Sequence, residues 1–196
     1  MARKAWQAPG RTAKAATSDK SDGKSTGSAA QGKPSDGESV VDGESALPLL
    51  PPALYIVATP IGHARDITLR ALDVLKSVDL IAAEDTRVTA KLLAIYDIRK
   101  PLIPYNDHSS DRDRARLLEK VKGGARVAQV SDAGMPLVSD PGFKLVREAL
   151  AEGVAVECIP GASASLTALT LSGQPSDRFV FAGFLPAKAG ERKTVL

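Results

Sequence analysis

Residues 131–142, SDAGMPLVSDPG, place the carboxylates Asp132 and Asp140 eight residues apart on a stretch that also carries Pro136, Pro141, Gly134 and Gly142. Prolines restrict the backbone, glycines allow a ligand to approach it, and the carboxylates offer acceptor oxygens. Together they describe a preorganised wall directly after the apolar run Val127 to Val130. Asp132, nearest the run, is expected to face a ligand. Asp140 is expected instead to cap a helix that begins near Pro141.

Four other short stretches follow apolar runs in the same way: Thr59-Pro60-Ile61-Gly62, Glu84-Asp85-Thr86-Arg87, Tyr105-Asn106-Asp107-His108 and Pro160-Gly161-Ala162-Ser163-Ala164-Ser165. If the runs are parallel strands, all five stretches lie on one rim, where open α/β sheets bind their ligands. The stretch after the first run has one glycine and a proline in place of Gly-x-Gly-x-x-Gly, and no Walker A sequence occurs. Carbonyls, small residues and a few carboxylates without a phosphate cradle suit an uncharged or cationic ligand. A sulfonium cofactor fits that description, though composition alone does not name one. With two histidines and one cysteine in the chain, metal binding is not expected. No Gly-x-Ser-x-Gly elbow supports serine nucleophile chemistry.

The elements that must position these loops alternate in type, as in a mainly parallel sheet covered by helices. Strands are expected at 54–58, 80–83, 102–104, 126–130, 154–159 and 179–184. The third contains Pro104 and so belongs at an edge or strand end. Helices are expected between them: one capped by Asp66 with Ile67, Ala71, Val74, Leu75 and Val78 facing the sheet, one over 86–96 with Val88, Leu92 and Leu93 as its apolar stripe, and one over 111–121 with Leu117, Leu118 and Val121 inward. Gly123 and Gly124 stop the third of these. Two more follow over 143–151 and 162–171.

Residues 1–52 are rich in Ala, Ser, Gly, Lys and Asp with Trp6 as their only strongly apolar aromatic landmark, and are expected to be a disordered extension. The first 24 hold six Lys and Arg against two Asp, which leaves an RNA-contacting arm or a targeting peptide as alternatives to an inert tail. Residues 53–175 are expected to form an α/β domain, and 176–196 to begin a second one. The formal charge of +3 weighs little, because from Ala53 onward there are 19 Lys and Arg against 17 Asp and Glu. No run approaches the ~20 apolar residues of a membrane span, and the N-terminus lacks a signal-peptide core, so a cytoplasmic protein without membrane contact is expected. Cys158, alone in an apolar run, is expected to be a buried small hydrophobe.

Five stretches, LYIVATPIGHARDITLR (54–70), LIAAEDTR (80–87), VSDAGMPLVSDPG (130–142), IPGASA (159–164) and DRFVFAGFLPAK (177–188), resemble in order and spacing the ribosomal-RNA ribose branch of the tetrapyrrole methylase family. That resemblance implies S-adenosylmethionine as cofactor, and methyl transfer to the ribose 2′-oxygen of a decoding-centre cytidine in 16S rRNA of the small ribosomal subunit. It also implies a homodimer, and a cofactor cleft between this α/β domain and a second one. The cofactor loops carried over are Thr59, Pro60 and Gly62, then Ser131, Asp132, Ala133, Gly134 and Pro136, then Pro160, Gly161, Ala162 and Ser163. His63, Val88, Met135 and Ala162 stand where the family commonly has Asn, His, Thr and Pro, and Met135 is the one of these positioned to alter cofactor fit.

Methyl transfer from a sulfonium requires chiefly that a weak alcohol nucleophile be aligned and its proton removed. Glu84 and Asp85 are the candidates for that work, with Arg87 on a backbone phosphate. The alternative is an ion pair with Arg87 that only closes the turn. Tyr105 could stack on an extruded base or simply pack, and His108 could shuttle a proton or simply be solvated. Methylation of a tetrapyrrole precursor and a non-catalytic cofactor- or RNA-binding fragment are the rival functions.

Overall fold

The computed structural model describes residues 49–195; the expected N-terminal extension therefore lies almost wholly outside the described residues. The strands are β1 (Leu54–Val57), β2 (Leu80–Ala83), β3 (Leu102–Pro104), β4 (Val127–Val130) and β5 (Val156–Ile159), and the helices α1 (Leu69–Ser77), α2 (Thr86–Ile95), α3 (Asp111–Lys122), α4 (Phe143–Ala151), α5 (Ala164–Leu171) and α6 (Ala189–Val195). All strand pairs are parallel, in the order β3-β2-β4-β1-β5. Every strand thus ends on the same edge. Register fixes this edge: Leu54 pairs with both Val127 and Val156, and Ala83 with both Pro104 and Val130.

Because side chains alternate across a strand, each apolar run feeds two layers, and this is why the runs read as continuously hydrophobic. Tyr55, Val57, Ile81, Ala83, Ala128 and Val130 meet the stripe Ala71, Val74, Leu75 and Val78 on one face. Leu54, Ile56, Ala82 and Val127 meet Leu117, Leu118 and Val121 of α3 and Leu145 and Ala149 of α4 on the other. Arg114 of α3, buried, donates Nε–H to both Glu148 carboxylate oxygens at 3.1 Å and Nη2–H to Asp111 at 2.6 Å, tying α3 to α4. Ser110 and Asp113 close a reciprocal capping box at the start of α3. No helix among the described residues is long and apolar enough to cross a membrane.

Five expectations are corrected. Asp66 sits in a short 3-10 turn, and the cap of α1 is Thr68, whose extended backbone lets Oγ1 accept from Ala71 N at 3.1 Å. In α2 the buried positions are Thr89 and Leu93, whereas Val88 is exposed, because the inward stripe falls one residue later than apolarity suggested. Residues 179–184 form no strand: Val180 and Phe184 are almost fully exposed, and a ladder needs a partner edge that this run does not have. Cys158 is exposed because β5 is the outermost strand beside β1. Asp140 does not cap α4, whose N-cap is Gly142 with φ +126° and no side chain to offer.

Candidate functional site

With every strand parallel, the loops after β1, β2, β3, β4 and β5 leave from one rim. Three of them touch. Thr59 and Gly134 exchange backbone hydrogen bonds at 2.9 and 3.1 Å, and Thr59 Oγ1 donates to Ser131 O at 3.1 Å in the interior. A Cβ on Gly134 would lie 3.4 Å from Ile61 Cγ2 and 3.5 Å from Ala162 O, so the β1, β4 and β5 loops meet at that glycine. Gly134 has φ +82°, a region that suits glycine. At Gly161 a Cβ would come within 2.7 Å of Ala58 Cβ, which brings the β5 loop hard against the end of β1.

The β4 loop is rigid for reasons its composition announced only in part. Besides its prolines, Leu137 and Ser139 hold positive φ values of 71° and 60°, strained for residues other than glycine. At its far end Gln129, a buried polar residue in the middle of β4, donates Nε2–H to Pro141 O at 2.8 Å. Gly142 packs so closely over that amide that a Cβ there would lie 2.0 Å from Nε2. In the sequence Gln129 stands inside the apolar run Val127 to Val130. A lone amide within a buried strand is the signal that could have flagged it.

Carboxylates gather where the β2, β3 and β4 loops face one another. Glu84 Oε2 accepts from Asp132 N at 3.3 Å, and Asp132 Oδ1 accepts from Asp85 N at 3.0 Å, a reciprocal link between two loops. Burial pushes the Glu84 carboxyl pKa up, and the nearby charges of Asp132, Asp140 and Asp107 push the same way against the hydrogen bond from Asp132 N. Asp140 is also raised, first by burial and then by Asp132 and Asp107, with the Ser131 hydroxyl opposing. Ser131 Oγ is buried, and although close enough to oppose that rise it has no partner in good hydrogen-bond geometry. Asp107, on one of the expected rim loops, and Asp140, expected chiefly as a helix cap, thus stand with Glu84 and Asp132. Among the described residues no three His, Cys, Asp or Glu side chains form a metal-ligand cluster.

Asp85 is differently placed. Its Oδ1 caps α2 by accepting from Arg87 N at 2.8 Å, and both carboxylate oxygens accept from Arg87 Nε at 3.0 and 3.2 Å. The Arg87 guanidinium holds the Asp85 carboxyl down at about 2. The ion pair that closes this turn is therefore present, and the rest of Arg87 is exposed. Tyr105 is buried, with its hydroxyl pKa pushed up to about 12 by burial, so it packs and offers no open stacking face. His108 is exposed.

Beside the three-loop contact lies a hollow of about 360 Å³, a size within the ordinary range for small-ligand sites. Ala133, Gly134 and Ser163 of the expected cofactor loops line it, along with Met135 and Asp140. Thr59, Pro60, Ser131 and Pro136 are buried and shape the loops from beneath, Ala162 reaches the junction through its carbonyl, and Asp132 stands exposed on the rim. Gly62 and Pro160 are exposed beyond the hollow's lining. Phe181 and Phe184, expected in a strand, give it apolar wall together with Ile61 and Val138.

The tetrapyrrole (corrin/porphyrin) methylase family model matches residues 53–196. Among curated proteins, the chain is similar to ribosomal RNA small subunit methyltransferase I of Mesorhizobium japonicum, 53% identical over 156 residues that cover 79% of this chain and 53% of the relative. It is also similar to the protein of that name from Haemophilus influenzae, 54% identical over 143 residues that cover 73% and 50%. The chain spans about half the length of the curated relatives it matches. A solved diphthine synthase superposes with a TM-score of 0.53 at 22% identity, covering 65% of this chain and 51% of that one, a likeness of fold alone.

Proposed function

Since the chain belongs to the tetrapyrrole methylase family, we propose that it serves S-adenosylmethionine-dependent methyl transfer to the ribose 2′-oxygen of a 16S rRNA cytidine at the decoding centre, as a homodimer in the cytoplasm. The observation that carries this reading is the junction at Gly134, where the β1, β4 and β5 loops meet beside a hollow that Asp140 lines. About half-identical relatives named for rRNA methylation support the RNA over a tetrapyrrole as acceptor.

The residues present fit such a cofactor. Glycines at 134 and 161 bring backbone close, Met135 and Phe181 give apolar contact, and Asp132 and Asp140 supply negative potential suited to a sulfonium and an ammonium group. When bound, S-adenosylmethionine supplies an electrophilic methyl group whose transfer leaves a neutral thioether. Glu84, held by Asp132 N and raised by burial, accepts the ribose hydroxyl proton as the 2′-oxygen attacks. Asp85 fixes the α2 turn, and through it aims Arg87 outward toward a backbone phosphate.

Supplying purified small ribosomal subunits and tetrapyrrole precursors with methyl-labelled S-adenosylmethionine tests the reading. Label in a ribose 2′-O-methyl group is expected; label entering only the tetrapyrrole would reject it. Running the same assay on a chain extended to the relatives' full length separates a catalytic domain from a binding fragment, because a fragment shows cofactor binding without transfer.

A further inference from the structure

Away from the cofactor hollow, β3 is an edge strand, and its outer side meets α3 across a gap of about 440 Å³. The floor of this gap is apolar, made by Ile103, Pro104 and Leu117. Its charged lining is Arg116 and Lys120, one helical turn apart, against the single carboxylate of Asp113, a net positive balance. Arg116 is weakly held: among the described residues its only ion pair is a 3.8 Å contact to Asp113, with 64% of its side chain exposed. The other Asp113 oxygen, Oδ2, accepts from Ser110 N at 3.0 Å and from its hydroxyl at 2.7 Å. Arg112, one turn earlier, extends the same stripe. Asn106, which also lines the gap, accepts from His108 N through Oδ1 at 3.0 Å, and its amide keeps two N–H donors.

This gap connects to the rim. A second hollow of about 240 Å³ shares Tyr105, Asn106 and Ser109 with it, and shares Asp140 with the cofactor hollow. Three depressions therefore run in sequence across the strand ends, from the loop junction at Gly134 to the outer face of α3. An apolar floor, an amide that can donate, and two cations beside it suit an unstacked nucleotide, and single-stranded RNA is recognised through such splayed bases.

We infer that the gap between β3 and α3 holds a nucleotide flanking the one to be methylated, with its base over Pro104 and Leu117 and its phosphate on Arg116 and Lys120. The inference rests on RNA being the substrate class, as proposed above, and places the approach of that strand on the α3 side of the rim.

The test measures binding of a fluorescein-labelled single-stranded RNA of about twelve nucleotides by anisotropy, with S-adenosylmethionine binding measured separately by calorimetry. The proteins are the full chain, its R116E/K120E variant, and K76E/K100E as a charge-matched control. Expected for R116E/K120E is at least about a tenfold loss of RNA affinity and a salt dependence shallower by about 1.4 in log-log slope, the loss of two phosphate contacts at about 0.7 each. Cofactor affinity stays as in the parent, and the control keeps both.

Unchanged RNA affinity and slope in R116E/K120E overturns the inference. An equal loss in K76E/K100E also overturns it, because general charge would then explain the effect. Loss of cofactor binding along with RNA would show the pair acting through the fold, which likewise overturns it. A parent chain that binds S-adenosylmethionine but not RNA overturns the nucleotide pocket alone, whereas one that binds RNA as expected but no S-adenosylmethionine sinks the cofactor reading and leaves the pocket standing.

Discussion

Replacing Gly142 with alanine tests whether the β4 loop is held from inside the sheet. Gly142 has φ +126°, and an added Cβ would sit 2.0 Å from Gln129 Nε2. Holding alanine in such a conformation costs roughly 1–3 kcal/mol. Gln129 must also withdraw, which breaks its 2.8 Å bond to Pro141 O and leaves a buried amide unpaired, at roughly another 1–3 kcal/mol. The sum, about 2–6 kcal/mol, is a large fraction of the 5–15 kcal/mol of an ordinary domain. Urea unfolding at constant slope gives the loss directly. In the G142A/Q129A double variant the clash partner is gone and only backbone strain and a lost hydrogen bond remain, so the two changes should fall short of additivity by at least about 1 kcal/mol. A G142A cost under about 1 kcal/mol, or strict additivity, would refute the clamp.

Glu84→Gln keeps an acceptor for Asp132 N but removes the charge. Because the folded pKa of Glu84 lies above its ordinary value of 4.5, the native state binds that proton more tightly, and its stabilising effect is lost as pH rises through the folded pKa. The glutamine variant should therefore melt higher than the parent at pH 7, with the gap closing below pH 4.5, while methyl transfer is lost; a lower melting temperature at pH 7 would contradict the assigned environment. Gly161→Ala, which would put a Cβ 2.7 Å from Ala58 Cβ, should weaken S-adenosylmethionine binding about tenfold (~1.4 kcal/mol) by calorimetry, and unchanged binding would remove the β5 loop from the site. Asp79 pairs with Arg126 at the opposite end of the strands, where Arg126 holds its carboxyl at about 2. The depressed pKa means stability present above the ordinary 3.8 and lost as pH falls toward 2, so Asp79→Asn should cost under about 1 kcal/mol in this partly exposed pair and leave cofactor affinity untouched; a change in that affinity would show the two ends to be coupled.

The order of elements was legible because β1, β2 and β4 are short apolar runs and α1 and α3 carry inward stripes at helical spacing, signals that arise from burial on two sheet faces. The rim followed from parallel connectivity alone. Misreadings cluster where apolarity and burial part company: Cys158 on the edge strand and Val180 and Phe184 in an unpaired run are apolar by type and exposed by position. Capping went astray at Asp66 and Asp140 for another reason, since a cap is chosen by the backbone angles of one residue, and those were visible only once Thr68 and Gly142 had been placed. Which loops touch was legible only through the family resemblance, which groups the β1, β4 and β5 loops, and not through residue types. The meeting of Ile61, Gly134 and Ala162 depends on β4 lying between β2 and β1, a strand order that residue types do not state.

That strand order also accounts for the cost the rim carries. Placing β4 next to β2 sets Asp132 beside Glu84, and the β3 and β4 loops then bring Asp107 and Asp140 near enough to raise the remaining carboxyl groups. Like charges brought together at half-buried positions oppose folding, and nothing in the two apolar layers beneath requires them there. Arg87 pairs directly with Asp85 and reaches Asp132 only at longer range, and Arg114 is committed to Glu148 and Asp111. Negative potential left unbalanced at the edge of a hollow is relieved by a cation entering it, so the same arrangement that lowers the stability of the free chain favours a positively charged ligand. The proposed sulfonium cofactor has that charge, and its affinity should fall as pH drops through the raised carboxyl pKa values, since each proton taken up by Glu84 or Asp140 removes part of the attraction.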